Sequence, residues 1–134
     1  MNEKNKMTRL FQEQNFIGHS GDELHWKIEC DALFPEEWRC IAKMITEYET
    51  RPFCSAIGIP RGGVRLGTYL NEYSTQNFDD PYLIVDDVLT TGGSMEEFKK
   101  EHFKNKNVIG WVVFARTKPA DWVTALFQTP IERG

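Results

Sequence analysis

The chain has 134 residues, 40% of them apolar and 27% charged, and its 20 acids against 16 bases give a formal charge of −4. That length suits one domain with its own core, and the acidic balance argues against a general nucleic-acid binder, which needs a basic footprint. No apolar run approaches the roughly 20 residues of a membrane span, and the opening MNEKNKMTRL lacks the apolar core of a signal peptide, so a cytoplasmic protein that does not engage membranes is expected. Cys30, Cys40 and Cys54 leave one thiol over in any disulfide scheme and form no C-x-x-C pair, so reduced structural thiols are expected.

In chain order, residues 1 to about 15 read as a loosely held lead-in or a short helix with Leu10, Phe11 and Phe16 as anchors. After the turn-rich Ile17–Asp22, the alternation of Leu24, Trp26, Ile28 and Cys30 with polar residues predicts a half-buried strand. Pro35 followed by Glu36 and Glu37 is a helix start, and Trp38, Ile41, Ala42, Ile45 and Tyr48 recur at helical spacing, predicting a helix over about 35–50. Phe53–Ile59 is an apolar run closed by Pro60-Arg61-Gly62-Gly63, a buried strand ending in a glycine turn, and Leu66, Leu70 and Tyr73 mark a second helix. Tyr82-Leu83-Ile84-Val85 is the clearest buried strand and runs into Asp86-Asp87. Met95, Phe98 and His102 mark a third helix, Val108–Phe114 a further buried strand and Trp122–Phe127 an edge strand. Strand and helix alternate without a linker or repeat, which predicts a single α/β domain over 1–134, a three-layer sandwich with a mostly parallel sheet.

In such sheets ligands bind beyond the carboxyl ends of the strands. Two of those ends carry glycine turns, Pro60–Gly63 and Thr90–Ser94, and a strand, a glycine turn and a helix start together offer N–H groups suited to a phosphate. Thr90, Thr91 and Ser94 add hydroxyl donors. Neither turn fits G-x-G-x-x-G or the P-loop pattern. Carboxylates repel phosphate, so Asp86 and Asp87 point instead to sugar hydroxyls or to Mg²⁺, held directly or through water. A ligand carrying phosphate, ribose and metal satisfies the whole segment. The plain alternative is that the acids cap the turn and solvate the strand end.

The thirteen residues from Tyr82 to Ser94, YLIVDDVLTTGGS, resemble at every position the phosphoribosyl-pyrophosphate (PRPP) motif of the type I phosphoribosyltransferases. Ile59–Gly63 is similar to that family's pyrophosphate loop, and His19-Ser20-Gly21 with Lys27–Asp31 is similar to a segment of orotate phosphoribosyltransferases. The resemblance covers about residues 15–127 in order. It implies a PRTase-like core and these roles: Asp86 and Asp87 as the catalytic acids that meet the ribose hydroxyls and hydrated Mg²⁺, Thr90, Thr91, Gly92, Gly93 and Ser94 as the cradle of the 5′-phosphate, and Arg61, Gly62 and Gly63 at the pyrophosphate. Arg116, Trp122 and Lys27 are the candidates for contact with the base; Trp122 follows the arginine on a loop, whereas Trp26 and Trp111 read as core, and the plain alternatives are that Arg116 pairs with a surface acid and Lys27 is solvated. The implied reaction is displacement of pyrophosphate by a ring nitrogen of a nucleobase, with an orotate-like or other pyrimidine favoured, in a homodimer.

One departure stands out. Members of the orotate type place two strands and a mobile basic loop before the PRPP motif, whereas here only Ser74–Pro81, without lysine or arginine, separates the second helix from the motif strand. The lid and its catalytic lysine are therefore expected to be missing or replaced, with Arg65, Lys99, a partner subunit or the lysines of the first ten residues as substitutes. A non-catalytic PRPP or nucleotide sensor, or an interaction module, is the alternative function. A flavodoxin-like domain would leave the acid pair without a role, and His19, His25 and His102 are too scattered for a zinc site.

Overall fold

The structure, a computed structural model, describes residues 11–17, 23–28 and 30–130. Contacts divide the chain into two compact bodies, Met1–Pro35 and Glu36–Gly134.

In the first body, strand β1 (Phe11–Ile17) pairs antiparallel with β2 (Glu23–Ile28), and the register shifts between Glu13 and Phe16. The lead-in or helix expected up to residue 15 is thus a strand from Phe11 onward. Its sequence, FQEQNFI, has no strict alternation, and its conformation is set by a ladder partner that lies beyond the next turn. A short 3₁₀ turn, Cys30–Ala32, follows β2.

The second body is built on helix α1 (Pro35–Tyr48), whose stripe of Trp38, Ile41, Ala42 and Ile45 is buried as the periodicity predicts. Its four strands are β3 (Ala56–Gly58), β4 (Tyr82–Leu89), β5 (Val108–Ala115) and β6 (Val123–Gln128). They pair in the order β3-β4-β5-β6, every pair parallel. Helix α2 (Val64–Leu70) links β3 to β4 and α3 (Gly93–His102) links β4 to β5. One face of the sheet, with Ile84, Val112 and Val123, packs on Met95 and Phe98 of α3. Trp111, on the alternate face of β5, donates its indole N–H to Glu49 just after α1 at 2.9 Å. Helices on both faces make the sandwich three-layered. Burial pushes the Glu49 carboxyl up, but hydrogen bonds from Arg51 and Trp111 outweigh it and hold the group below its usual range.

Three strands differ from their sequence outline. β4 continues through both aspartates to Leu89, and β6 is a parallel edge strand reached by residues 116–122 without a helix. β3 keeps only three residues of the apolar run Phe53–Ile59. Its open edge is closed by a side chain: the Ala56 N–H donates to Asn71 Oδ1 at 2.8 Å, and Asn71 Nδ2 donates to the Ala56 carbonyl at 2.7 Å. The amide stands in for the missing neighbour strand. Asn71→Ala should cost about 1–3 kcal/mol, read as a lower urea midpoint with an unchanged slope.

Segment Ser74–Pro81 is laced to the start of β3 and β4. Thr75 and Gln76 donate their N–H groups to the Phe53 and Cys54 carbonyls, each at 2.9 Å, and the Cys54 N–H donates to Pro81 at 2.7 Å. Phe78 at its tip is exposed. The link therefore lies at the amino end of β4, opposite the end where the acids and glycine turns stand.

Candidate active site

Everything that converges does so at the carboxyl end of β4. The Pro60–Gly63 turn leaves β3 and folds onto this strand: the Ile59 N–H donates to the Val85 carbonyl at 2.9 Å, and the Gly63 N–H returns to the Ile59 carbonyl at 2.9 Å. The peptide joining Pro60 to Arg61 is cis. A Cβ on Gly63 would stand 2.6 Å from the Val85 carbonyl oxygen and 3.0 Å from the Asp86 Cα, and one on Gly62 would stand 2.5 Å from the Asp87 Cγ. The turn and the acid pair are thus in direct contact. Arg61 is exposed above them.

Asp86 is buried, 9% exposed, and its Oδ1 accepts the Asp87 N–H at 2.9 Å. Asp87 is half-buried, and its Oδ1 accepts the Val88 N–H at 2.7 Å. Burial, with the neighbouring Asp87 charge second, pushes the Asp86 carboxyl up to about 8. Such a group resists ionising unless a cation or a hydroxyl donor meets it. No cluster of three or more potential metal ligands exists among the described residues. Two adjacent carboxylates suit Mg²⁺, which keeps several waters and takes one or two carboxylates beside phosphate. They would not suit zinc.

The second turn follows β4 directly. Thr90, Thr91, Gly93 and Ser94 are exposed, and Gly92 takes φ +91° at the N-cap of α3 with open space where a Cβ would be. Gly92 therefore serves the backbone bend and Gly62 the close approach of a side chain. The Gly93 N–H meets Thr91 Oγ1 at 3.3 Å and the Glu96 N–H closes the first helical bond to the Gly92 carbonyl at 3.2 Å. The N–H groups of Ser94 and Met95 precede that bond and have no carbonyl one turn back within the helix, so the helix start offers donors to an anion.

The loop after β5 completes the rim. The Arg116 N–H donates to the Leu89 carbonyl at 2.9 Å, and Thr117 Oγ1 donates to the Thr90 carbonyl at 2.8 Å. Arg116 thus reaches the expected end of the sheet, but its side chain is buried, 8% exposed, instead of standing at the surface. Thr117 is a residue that sequence reasoning missed, since nothing local marks a hydroxyl that bonds across to another strand's turn. Trp122 is not brought to the acids. Its ring lies over Gly110, where a Cβ would stand 2.7 Å from Cζ3, its N–H is donated to Glu96, and Lys99 Nζ sits 4.6 Å above it. It packs, partly buried, against the core between α3 and β5. Lys27 lies on β2 in the first body and its side chain falls outside the described residues, as do His19, Ser20 and Gly21. Of the substitutes for a lid, Arg65 lies over the Trp38 ring at 5.4 Å and Lys99 over Trp122.

Known proteins of the same shape share this arrangement of strands. Over 89% of this chain and 88% of its own, an orotate phosphoribosyltransferase from Aeropyrum pernix superposes with a TM-score of 0.72 at 18% identity. The chain has the type I phosphoribosyltransferase fold. A Francisella tularensis orotate phosphoribosyltransferase gives 0.59 at 16% identity over 93% and 82%. A Leishmania donovani UMP synthase gives 0.67 at 16% identity, covering 89% of this chain and 33% of that one. No protein-family profile and no curated sequence matches the chain. The α/β parallel core expected from the strand pattern is therefore the one observed, and the PRPP-like segment occupies β4 and the start of α3.

Proposed function

We propose that this chain is a minimal, PRPP-dependent phosphoribosyltransferase acting on a nucleobase, a pyrimidine of the orotate type by preference, with release of pyrophosphate. The observation that carries the reading is that three parts stand at one strand end: the Gly62 turn against the Asp86–Asp87 pair, and the Thr90–Ser94 turn that follows the same strand. In this reading the helix-start N–H groups with Thr90, Thr91, Gly92, Gly93 and Ser94 bind the 5′-phosphate. Arg61 and Gly62 face the pyrophosphate, while Gly63 commits its N–H to Ile59 and shapes the turn from behind. Asp86 and Asp87 orient the ribose hydroxyls and would hold Mg²⁺, which when bound neutralises charge on the departing pyrophosphate. The protein needs no covalent nucleophile: it positions C1′ for attack by the ring nitrogen, and the leaving group takes the bonding pair. Arg116 and the half-exposed Thr117 stand where the base would lie, and Lys27 and Trp122 rank behind them. One domain over 1–134, a homodimer and a cytoplasmic location belong to the same reading; no helix among the described residues is long and apolar enough to cross a membrane.

Incubation with PRPP, Mg²⁺ and a panel of bases should yield pyrophosphate and one nucleotide. With no lysine or arginine in the link before β4, ribose 5-phosphate from hydrolysis should accompany it. PRPP binding with no product from any base would sink the enzyme.

A second reading has its own support. Ser74–Pro81 carries no lysine or arginine and is bonded down at the far end of β4, so nothing in it closes over the turns. A sensor that binds PRPP or a nucleotide without turnover would keep the same contacts. Calorimetry with PRPP against nucleoside monophosphates, beside the assay, separates the two.

A further inference from the structure

We propose that Gly62 is a positioning residue: because it has no side chain, the Asp87 carboxylate lies against the backbone of the Pro60–Gly63 turn, and the turn and the acid pair act as one unit. The ligands named here rest on the phosphoribosyl reading; the contact itself does not.

Four glycines crowd this end of the sheet, and they are not alike. A Cβ on Gly58, Gly63 or Gly67 would run into main chain, such as the Val64 Cα, the Val85 carbonyl oxygen or the Gly58 nitrogen, each within 2.7 Å. Those three set how closely α2 and its turn approach β3 and β4. The three atoms nearest a Cβ on Gly62 all belong to the Asp87 side chain: Cγ at 2.5 Å, Oδ1 at 2.7 Å and Oδ2. Nor does the backbone demand glycine at this position, since Gly92 is the glycine with positive φ. Space is the reason, and Asp87 fills it.

The carboxylate is held on its other side by the Val88 N–H, 2.7 Å from Oδ1. It therefore lies between its own strand and the turn. Whatever occupies the turn rests on the same peptide that fixes Asp87, so an anion there and a cation or diol at the acids share one rigid wall. An added methyl has a soft obstacle: the half-buried carboxylate can swing toward solvent. Alanine at 62 should leave the fold standing and misplace the acid.

The test is a cycle of G62A, D87A and the double variant, read by thermal unfolding of the free protein and by calorimetric titration of PRPP with Mg²⁺. G62A should lower Tm by about 3–6 °C when Asp87 is present and by less than about 2 °C when residue 87 is already alanine, because the collision is then gone. G62A should also weaken Mg²⁺-dependent PRPP binding about 10-fold and raise the Mg²⁺ concentration at half-saturation. A G62A chain that fails to fold while the double variant folds supports the contact equally. Equal Tm losses in both backgrounds, failure of both to fold, or G62A affinity and Mg²⁺ midpoint matching wild type would overturn it. A wild-type chain that binds no PRPP would refute the phosphoribosyl reading instead, and the thermal cycle would still decide the role of Gly62.

Discussion

Asp86→Asn is expected to make the free protein more stable at pH 8 while removing its affinity for PRPP with Mg²⁺. The carboxyl is buried, and burial with the Asp87 charge raises it to about 8 from an ordinary 3.8. Between those two values the unfolded chain is ionised and the folded one still holds its proton. Folding then takes up a proton, and stability contributed at this position falls as pH rises. The penalty is absent below about pH 4, grows through neutrality and is complete above about pH 8. Asparagine keeps the shape and can still accept the Asp87 N–H at Oδ1, but it never ionises. The gain should be about 1–3 kcal/mol at pH 8 and vanish near pH 4. Binding should move the other way, by 100-fold or more as an order-of-magnitude loss, since an uncharged amide offers a cation far less than a carboxylate. Urea unfolding at pH 4, 6 and 8 beside calorimetry checks both halves. A variant less stable than wild type at pH 8, or one that binds as wild type does, would show that Asp86 is an ordinary strand-end acid. The opposed signs matter, because damage to the fold would lower stability and binding together.

The sequence carried most of the fold because most of its elements are local. The stripe Trp38, Ile41, Ala42, Ile45 is a helix face by spacing alone, and the run Tyr82–Val85 is a buried strand by composition alone. What escaped depended on partners distant in the chain. β1 is a strand through its pairing with β2, and β3 is short because its outer neighbour is the Asn71 amide. The site divides the same way. YLIVDDVLTTGGS marked the acids and the glycine turn as candidates, and the structure places the acids in β4 and the turn between β4 and α3. The residues proposed for the base were poorly legible, since their placement hangs on which way single side chains turn: Arg116 is buried, Trp122 is laid over Gly110, and Thr117 enters through one bond to Thr90. The short link before the motif was legible as a missing length. Only the structure showed that the remaining residues are fastened at the opposite end of β4.

Gly63→Ala should abolish folding at temperatures where Gly92→Ala still folds, although both replace a glycine of a turn at the carboxyl end of a strand. At Gly92 an added Cβ meets nothing within 4 Å, and the cost is that of φ +91° alone, about 1–2 kcal/mol. At Gly63 the conformation is permissive and the space is not. The Cβ would lie 2.6 Å from the Val85 carbonyl oxygen, 2.9 Å from the Ile59 nitrogen and 3.0 Å from the Asp86 Cα, all main chain. The first two of these atoms bond each other at 2.9 Å, so the methyl would wedge apart the hydrogen bond that fastens the turn to β4. Nothing flexible can yield. Either α2 moves away from β3, uncovering the fully buried Leu66 and Leu70, or β4 shifts within a sheet whose Leu83, Ile84 and Val85 are fully buried. Overpacking against a rigid wall, with a ladder bond lost, should cost about 3–5 kcal/mol, a large share of a domain's net stability. Urea midpoints of the two variants give the comparison directly. A Gly63→Ala chain as stable as Gly92→Ala would mean that the turn does not stand on β4 as described. If the order holds, the two glycines divide by purpose: Gly92 bends the chain and Gly63 seats the turn on its strand.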